Sequence, residues 1–300
     1  MRTAGVVDHV RGLGVHDHVC WCFDTRAEFR ARAAEFLADG LRAGQRVLYI
    51  AGGEPGALAA ELRQVRGWDD ALTSGAAGVA SVEGTYTARA VVDPAQQVVT
   101  YAQLTEQALA EGFRGLRLAA DATSLVRTAD QVEAFARYEH LVDSYMASAP
   151  LSALCAYDRT ELGQARIEQI ACMHPIANSG AAAFRVHAGG RPGCAATVSG
   201  NVDAASVKLW THALRWARPR PDSDDRLVLD AAGLEFISHR GLLELAEYAR
   251  QRGGSVVLHD GPSSAARLTE VLGLSGVRVD PVRRRPRDGL RRAPDSERTR

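Results

Sequence analysis

Lysine is almost missing from this chain: of 36 Lys and Arg residues, only Lys208 is a lysine. A phosphate-binding loop of the Gly-x-x-x-x-Gly-Lys-Ser/Thr kind needs glycines to let backbone N–H groups wrap the phosphates. It also needs a lysine to reach the terminal ones. The first apolar strand runs instead into Asp24-Thr25-Arg26. Gly52-Gly53-Glu54-Pro55-Gly56 is glycine-rich, but Glu54 would repel a phosphate, so it reads as a tight turn and helix start. No Gly-x-Ser-x-Gly elbow is present, which removes the usual frame of a Ser-His-Asp hydrolase. No apolar run is long enough to span a bilayer. The N-terminal MRTAGVVDHVRGLG lacks the apolar core of a signal peptide. Formal net charge is zero, so no overall field draws nucleic acid or anionic membrane. The five cysteines, an odd number, argue for reduced thiols rather than a disulfide framework. The expected location is the cytoplasm.

What is present is an α/β pattern. Three hundred residues suggest two domains. His18 to Phe23 reads as a strand, and Thr25-x-x-Glu28 as a capping box opening a helix with Phe29, Ala33, Phe36, Leu37 and Leu41 on one face. Arg46 to Ala51 is the next strand, with a helix over 57–66. Gly78 to Val82 is a short strand and Glu83 to Val92 a loop. Asp93-Pro94 starts a helix reaching about Glu111. Strands over Gly115–Ala120 and Leu151–Tyr157 flank a helix capped by Thr128-x-x-Gln131. A further helix covers Leu162–Met173. Strands alternating with helices imply a parallel sheet covered on both faces. The expected domains are 1–176 and 184–280, joined by a small-residue linker at 177–183, with an Arg-rich disordered tail at 281–300.

In the second half, Arg226 to Asp230 and Ser255 to Leu258 read as strands. Between them come a loop over Ala231–Ser238 and a helix carrying Leu242, Leu245, Ala246 and Ala249. This makes a parallel βαβ unit. LVLDAAGLEFISHRGLLELA resembles the central signature of STAS domains. Thr197 to Ala205 resembles that fold's opening strand and Gly-x-x-Asp, and VLHDGPSSAARLTEVLG its last strand and C-terminal helix. The resemblance implies a smaller α/β domain that binds an anti-sigma factor or a serine-kinase-type regulator and serves transcription regulation. Its usual phosphoacceptor precedes the helix glycine, where this chain has Arg240. No phosphorylation is expected there, and Ser238, the alternative acceptor, reads as a helix N-cap. The implied partner surface holds Asp203, Ser238, His239 and Arg240.

HVCWCFDTRAEF, LADGLRAGQRVLYIAG, GFRGLRLAAD, ARYEHLV, ALCAYDR and MHP, in that order, resemble the MEDS sensory domain over roughly residues 8–176. That implies a RecA-like or Rossmann-like three-layer, mostly parallel α/β sensor without catalysis. Ligands of such sheets bind beyond the carboxyl ends of strands. That rule selects Asp24, Glu54, Asp121, Tyr157 and Asp158 as ligand-binding candidates, and His18 joins them as a polar residue at the sheet rim that could line a small-molecule pocket. His18, Cys20, Cys22 and Asp24 share one strand face. Imidazole and thiolate are soft-metal donors, but Cys-x-Cys within a strand lacks the turn spacing of zinc sites, so no metal or cofactor is expected. Glu139 reads as a solvated or paired acid, and His174 before Pro175 as a helix end. The expectation is a signal-transduction protein rather than an enzyme. A small molecule or redox state is read by the first domain, and the second engages a protein partner. The alternative is a metal- or haem-binding protein using His18, Cys20 and Cys22.

Overall fold

The computed structural model describes residues 4–86, 91–188 and 191–281. Seven strands form one sheet: β1 (Gly5–Val7), β2 (His18–Phe23), β3 (Arg46–Ala51), β4 (Ala77–Ser81), β5 (Leu116–Asp121), β6 (Leu151–Asp158) and β7 (Ile176–Asn178). Their order is β1-β7-β2-β6-β5-β3-β4, and every described pairing is parallel. The helices linking them are α1 (Arg26–Arg42), α2 (Pro55–Glu61), α3 (Trp68–Thr73), α4 (Val82–Thr85), α5 (Pro94–Ala110), α6 (Ala129–Met146), α7 (Arg159–Leu162) and α8 (Gln164–Ala171). A second sheet follows: β8 (Phe184–His187), β9 (Ala196–Val202), β10 (Arg226–Ile237), β11 (Ser255–Gly261) and β12 (Val277–Pro281), ordered β12-β11-β10-β9-β8. Only β8–β9 is antiparallel. Helices α9 (Val207–Ala217), α10 (His239–Arg250) and α11 (Ser263–Val271) complete it. The molecule is thus α/β, with a parallel seven-stranded sheet and a separate five-stranded one. Among the described residues no helix is long and apolar enough to cross a membrane.

Alternation along the central strands divides the core. Val19, Trp21, Phe23, Tyr49, Leu154 and Ala156 face α1, α2 and α3. Cys20, Cys22, Ala153, Cys155 and Tyr157 face the other way, toward α5, α6 and α8. Polarity on that second face is what needs explaining. α6 is set by a full capping box in which the Thr128 side chain accepts the Gln131 N–H while the Gln131 side chain accepts the Thr128 N–H. Its sheet-facing stripe carries Val132, Phe135, Val142 and Met146, each worth roughly 1.5–3 kcal/mol when buried. The same stripe also carries Glu139 and Asp143, four residues apart and therefore on one face.

Several expectations need correcting. Thr25 caps α1, but Glu28 does not return to the N-cap amide; its carboxylate accepts the Asp24 N–H and the Trp21 indole N–H. The helix expected over 57–66 begins earlier, at Pro55, and ends at Glu61. That over 162–173 is broken at Gly163, whose φ of 72° is left-handed. Gly5–Val7, in the polar lead-in, pairs with β7, and Ala177 and Asn178, assigned to the linker, lie in the sheet. The loop expected over 231–238 is instead the continuation of β10, carried to Ile237 by register shifts against β9. β12 was not foreseen. Residues 87–90 of the expected loop, and the tail from 282, lie outside the described residues.

The two sheets share apolar packing. One buried cluster runs from Cys155 and Phe135 to Phe184, Trp210 and Leu245. Val186 donates its N–H to the Cys172 carbonyl at 2.7 Å. Arg137 of α6 donates to the Trp216 carbonyl at 3.2 Å and to that of Ala217, at the C-terminus of α9. A cation there meets the negative end of the helix dipole. β9 crosses beside Ala183 at Gly200, whose φ is +82°. A Cβ at this position would lie 2.4 Å from the Ala183 carbonyl oxygen.

Candidate functional site

Four elements bring polar side chains to one place in the interior. β2 supplies His18, β6 supplies Cys155 and Tyr157, α6 supplies Glu139 and Asp143, and the turn after α8 supplies His174. The β2–β6 register sets Cys20 opposite Cys155 and Cys22 opposite Tyr157. His18, Glu139, Asp143 and His174 are 0 % exposed. Burying charged groups this deeply is costly unless each is paired and hydrogen-bonded, so the connections matter.

Glu139 is the hub. Its Oε2 lies 3.1 Å from His18 Nε2, and its Oε1 accepts the Tyr157 hydroxyl at 2.6 Å. His174 Nε2 is 3.4 Å from Oε1 but makes no aligned hydrogen bond. Cys155 Sγ lies 3.5 Å from His18 Nε2 and 3.9 Å from Glu139 Oε2. His18 Nδ1 is 3.1 Å from Asp143 Oδ1, and His174 Nδ1 is 3.1 Å from the Ile170 carbonyl oxygen. The two imidazoles stack obliquely, with centroids 4.3 Å apart.

Burial alone would drive both histidines toward neutrality. For His18, hydrogen bonds to Asp143, Cys155 and Glu139 outweigh it, and its pKa is raised well above the ordinary value. For His174, burial is outweighed by attraction to Glu139, giving about 9. Glu139 is pushed up by burial, but the two imidazoles overcome this and hold it far below the usual carboxylate range. Burial and the neighbouring Glu139 raise the Tyr157 phenol, so it remains a donor. The arrangement holds paired charge in a solvent-inaccessible interior, with donor atoms of His, Glu and Cys converging on one point.

The residues singled out from sequence divide sharply. His18, at the amino end of β2, and Tyr157, one residue from the carboxyl end of β6, are here. Asp24, Asp121 and Asp158 do stand at the carboxyl ends of β2, β6's neighbour β5, and β6. Each is engaged locally. Asp24 accepts from Arg159 at 3.1 and 3.2 Å. Asp121 accepts the Thr123 N–H and hydroxyl, and burial raises its pKa. Asp158 caps α7 through the Thr160 and Glu161 amides. Glu54 precedes α2, exposed, without a capping bond. Cys20 and Cys22 are buried beside the cluster with sulfurs 3.8 Å apart, and all five cysteines are free thiols. Glu139, Cys155 and His174 were missed as a group. The legible signal was an ionisable residue inside the apolar stripe of α6.

In the second sheet, Ser238 caps α10 by accepting the Gly241 N–H at 3.2 Å. His239 and Arg240 are exposed in its first turn. Asp203 is tied into its own turn by the Ala205 and Ser206 amides. Exposed Phe236 and Leu243 flank the cap.

The family model MEDS, the methanogen/methylotroph, DcmR sensory domain, covers residues 17–175. That is just over half of the chain and includes His18, Glu139, Cys155 and His174. No curated protein matches.

Proposed function

The chain belongs to the MEDS family of sensory domains, and from that premise we propose that the buried cluster is where it senses. The second α/β domain then passes the state of the cluster to a protein partner. One observation carries this reading. Asp143 binds the cluster through His18 and, with its other oxygen, accepts the Ala188 N–H at 2.8 Å, at the end of β8. His187 lies against the same carboxylate at 4.0 Å. One side chain therefore touches both the sensory centre and the second sheet. A signal must favour one arrangement of the chain over another, and a shared buried carboxylate has different partners in each.

The output surface is the start of α10. Phe236, His239, Arg240 and Leu243 present exposed apolar and cationic groups together, a composition suited to a protein interface. Its sequence resembles the STAS type, whose partners are anti-sigma factors and serine-kinase regulators. Arg240 places a fixed charge where such domains carry a switchable hydroxyl, so control comes from the sensory half. The role is binding rather than turnover: the convergent donors are shut away from solvent. Calorimetric titration of the full chain with a purified anti-sigma factor tests the output. Binding should weaken at least tenfold in Phe236→Ala and Arg240→Ala. Equal affinity for both variants would remove this surface from the account.

A further inference from the structure

We propose that His18, Glu139, Cys155 and His174 bind one divalent ion of the zinc class, and that this ion is what the sensory domain reads. The second clause rests on the sensory function above; the first stands on geometry alone. One donor atom from each of the four residues lies within 4.8 Å of all the others. A tetrahedral site with metal–nitrogen and metal–oxygen bonds near 2.0–2.1 Å and a metal–sulfur bond near 2.3 Å has edges of about 3.3–3.6 Å. Glu139 Oε2 lies 3.1 Å from His18 Nε2 and 3.9 Å from Cys155 Sγ, Cys155 Sγ lies 3.5 Å from His18 Nε2, and His174 Nε2 lies 3.4 Å from the other carboxylate oxygen, Oε1. With every donor pair inside 4.8 Å, contraction of about 1 Å along the longest edges would bring the cluster to that coordination shell.

The surroundings have the form of an outer shell. A histidine that ligates through one nitrogen needs the other held by an acceptor, which fixes ring and tautomer. His18 Nδ1 faces the Asp143 carboxylate and His174 Nδ1 the Ile170 carbonyl, leaving both Nε2 atoms pointing inward. His174 Nε2 is buried without a hydrogen-bond partner. The Tyr157 hydroxyl fixes the Glu139 carboxylate. The ligand shell itself balances, since a divalent ion with one thiolate, one carboxylate and two neutral imidazoles is neutral, and the buried Asp143 carboxylate beside it is met by the Ala188 N–H and by His18 Nδ1. Two nitrogens and a sulfur select a borderline-soft ion over magnesium or calcium, which take oxygen ligands. Four protein donors leave no open position, so the ion is held rather than used as a catalyst.

The test uses the full chain, purified without a metal-affinity column, refolded with or without zinc, then dialysed and analysed for metal. One ion per chain is expected. Refolding with cobalt(II) should give tetrahedral visible bands and a near-ultraviolet thiolate-to-cobalt band. That band should vanish in Cys155→Ser and persist in Cys22→Ser and Cys194→Ser. Substoichiometric metal, or a thiolate band that follows Cys22 or Cys194, overturns the site. If Cys155→Ser does not fold, the wild-type stoichiometry and the two other serine variants still decide. Stoichiometric cobalt that leaves anti-sigma-factor binding unchanged supports the site and overturns its role as the sensed ligand. Absence of metal with partner binding intact overturns the site and leaves the output reading standing.

Discussion

Replacing Asp143 with asparagine separates holding the fold from holding the cluster. The carboxylate accepts from the Ala188 amide at 2.8 Å and faces His18 Nδ1 at 3.1 Å. Hydrogen bonds to a buried charge are worth about 1.5–3 kcal/mol each. In Asp143→Asn the single amide oxygen must stay with the Ala188 N–H, because that group can only donate. The amide NH2 then points at His18 Nδ1, which can meet it only by giving up its proton. His18 accordingly carries its proton on Nε2, toward Glu139 and Cys155. The metal-free protein loses one charge-assisted bond and keeps the rest, so the fall in stability should be about 2 kcal/mol. A metal must instead displace that Nε2 proton and turn Nδ1–H against the amide. Zinc affinity should therefore drop by roughly 10–100-fold, the usual cost of losing an outer-shell partner. Urea denaturation of the zinc-free protein gives the first quantity and competition against a chromophoric chelator the second. Unchanged zinc affinity would refute the tautomer argument. A stability loss beyond about 5 kcal/mol would show Asp143 to be chiefly a structural anchor.

Three further outcomes test the fold around this centre. Arg137→Ala removes the guanidinium from the Trp216 and Ala217 carbonyls and should cost about 1.5–3 kcal/mol in denaturant unfolding. Gly200→Ala must hold a side chain at φ +82° and against the Ala183 carbonyl, so a loss above about 2 kcal/mol is expected in the same assay. Ser238→Ala removes the α10 N-cap and should lower stability by about 1 kcal/mol, with circular dichroism showing little change in helix content.

The strand–helix alternation was open to reading because buried parallel strands are continuous apolar runs and their helices carry caps. The Thr128–Gln131 box fixed the start of α6 correctly. Where reading failed, the cause was tertiary. β1 and β7 are three residues long and extend because β7 pairs with β2 and β1 in turn pairs with β7. β10 continues past Asp230 because β9 offers it hydrogen bonds, although Ala231-Ala232-Gly233 has weak strand preference. The candidate site was half legible. His18 stood out as a polar residue opening an apolar strand. Its partners come from 121, 137 and 156 residues further on, and no local pattern links Glu139, Cys155 and His174. Cys20 and Cys22 drew attention by proximity in sequence, but β2–β6 pairing, not sequence neighbourhood, determines which sulfur meets the imidazole.

The claim beneath all of this is that the interior cluster and the second sheet answer to each other through Asp143. Amide hydrogen exchange over residues 184–188, compared between the wild type and His18→Ala, tests it most directly. Exchange there should speed up in the variant. Identical exchange at 184–188 in the two proteins would contradict the account.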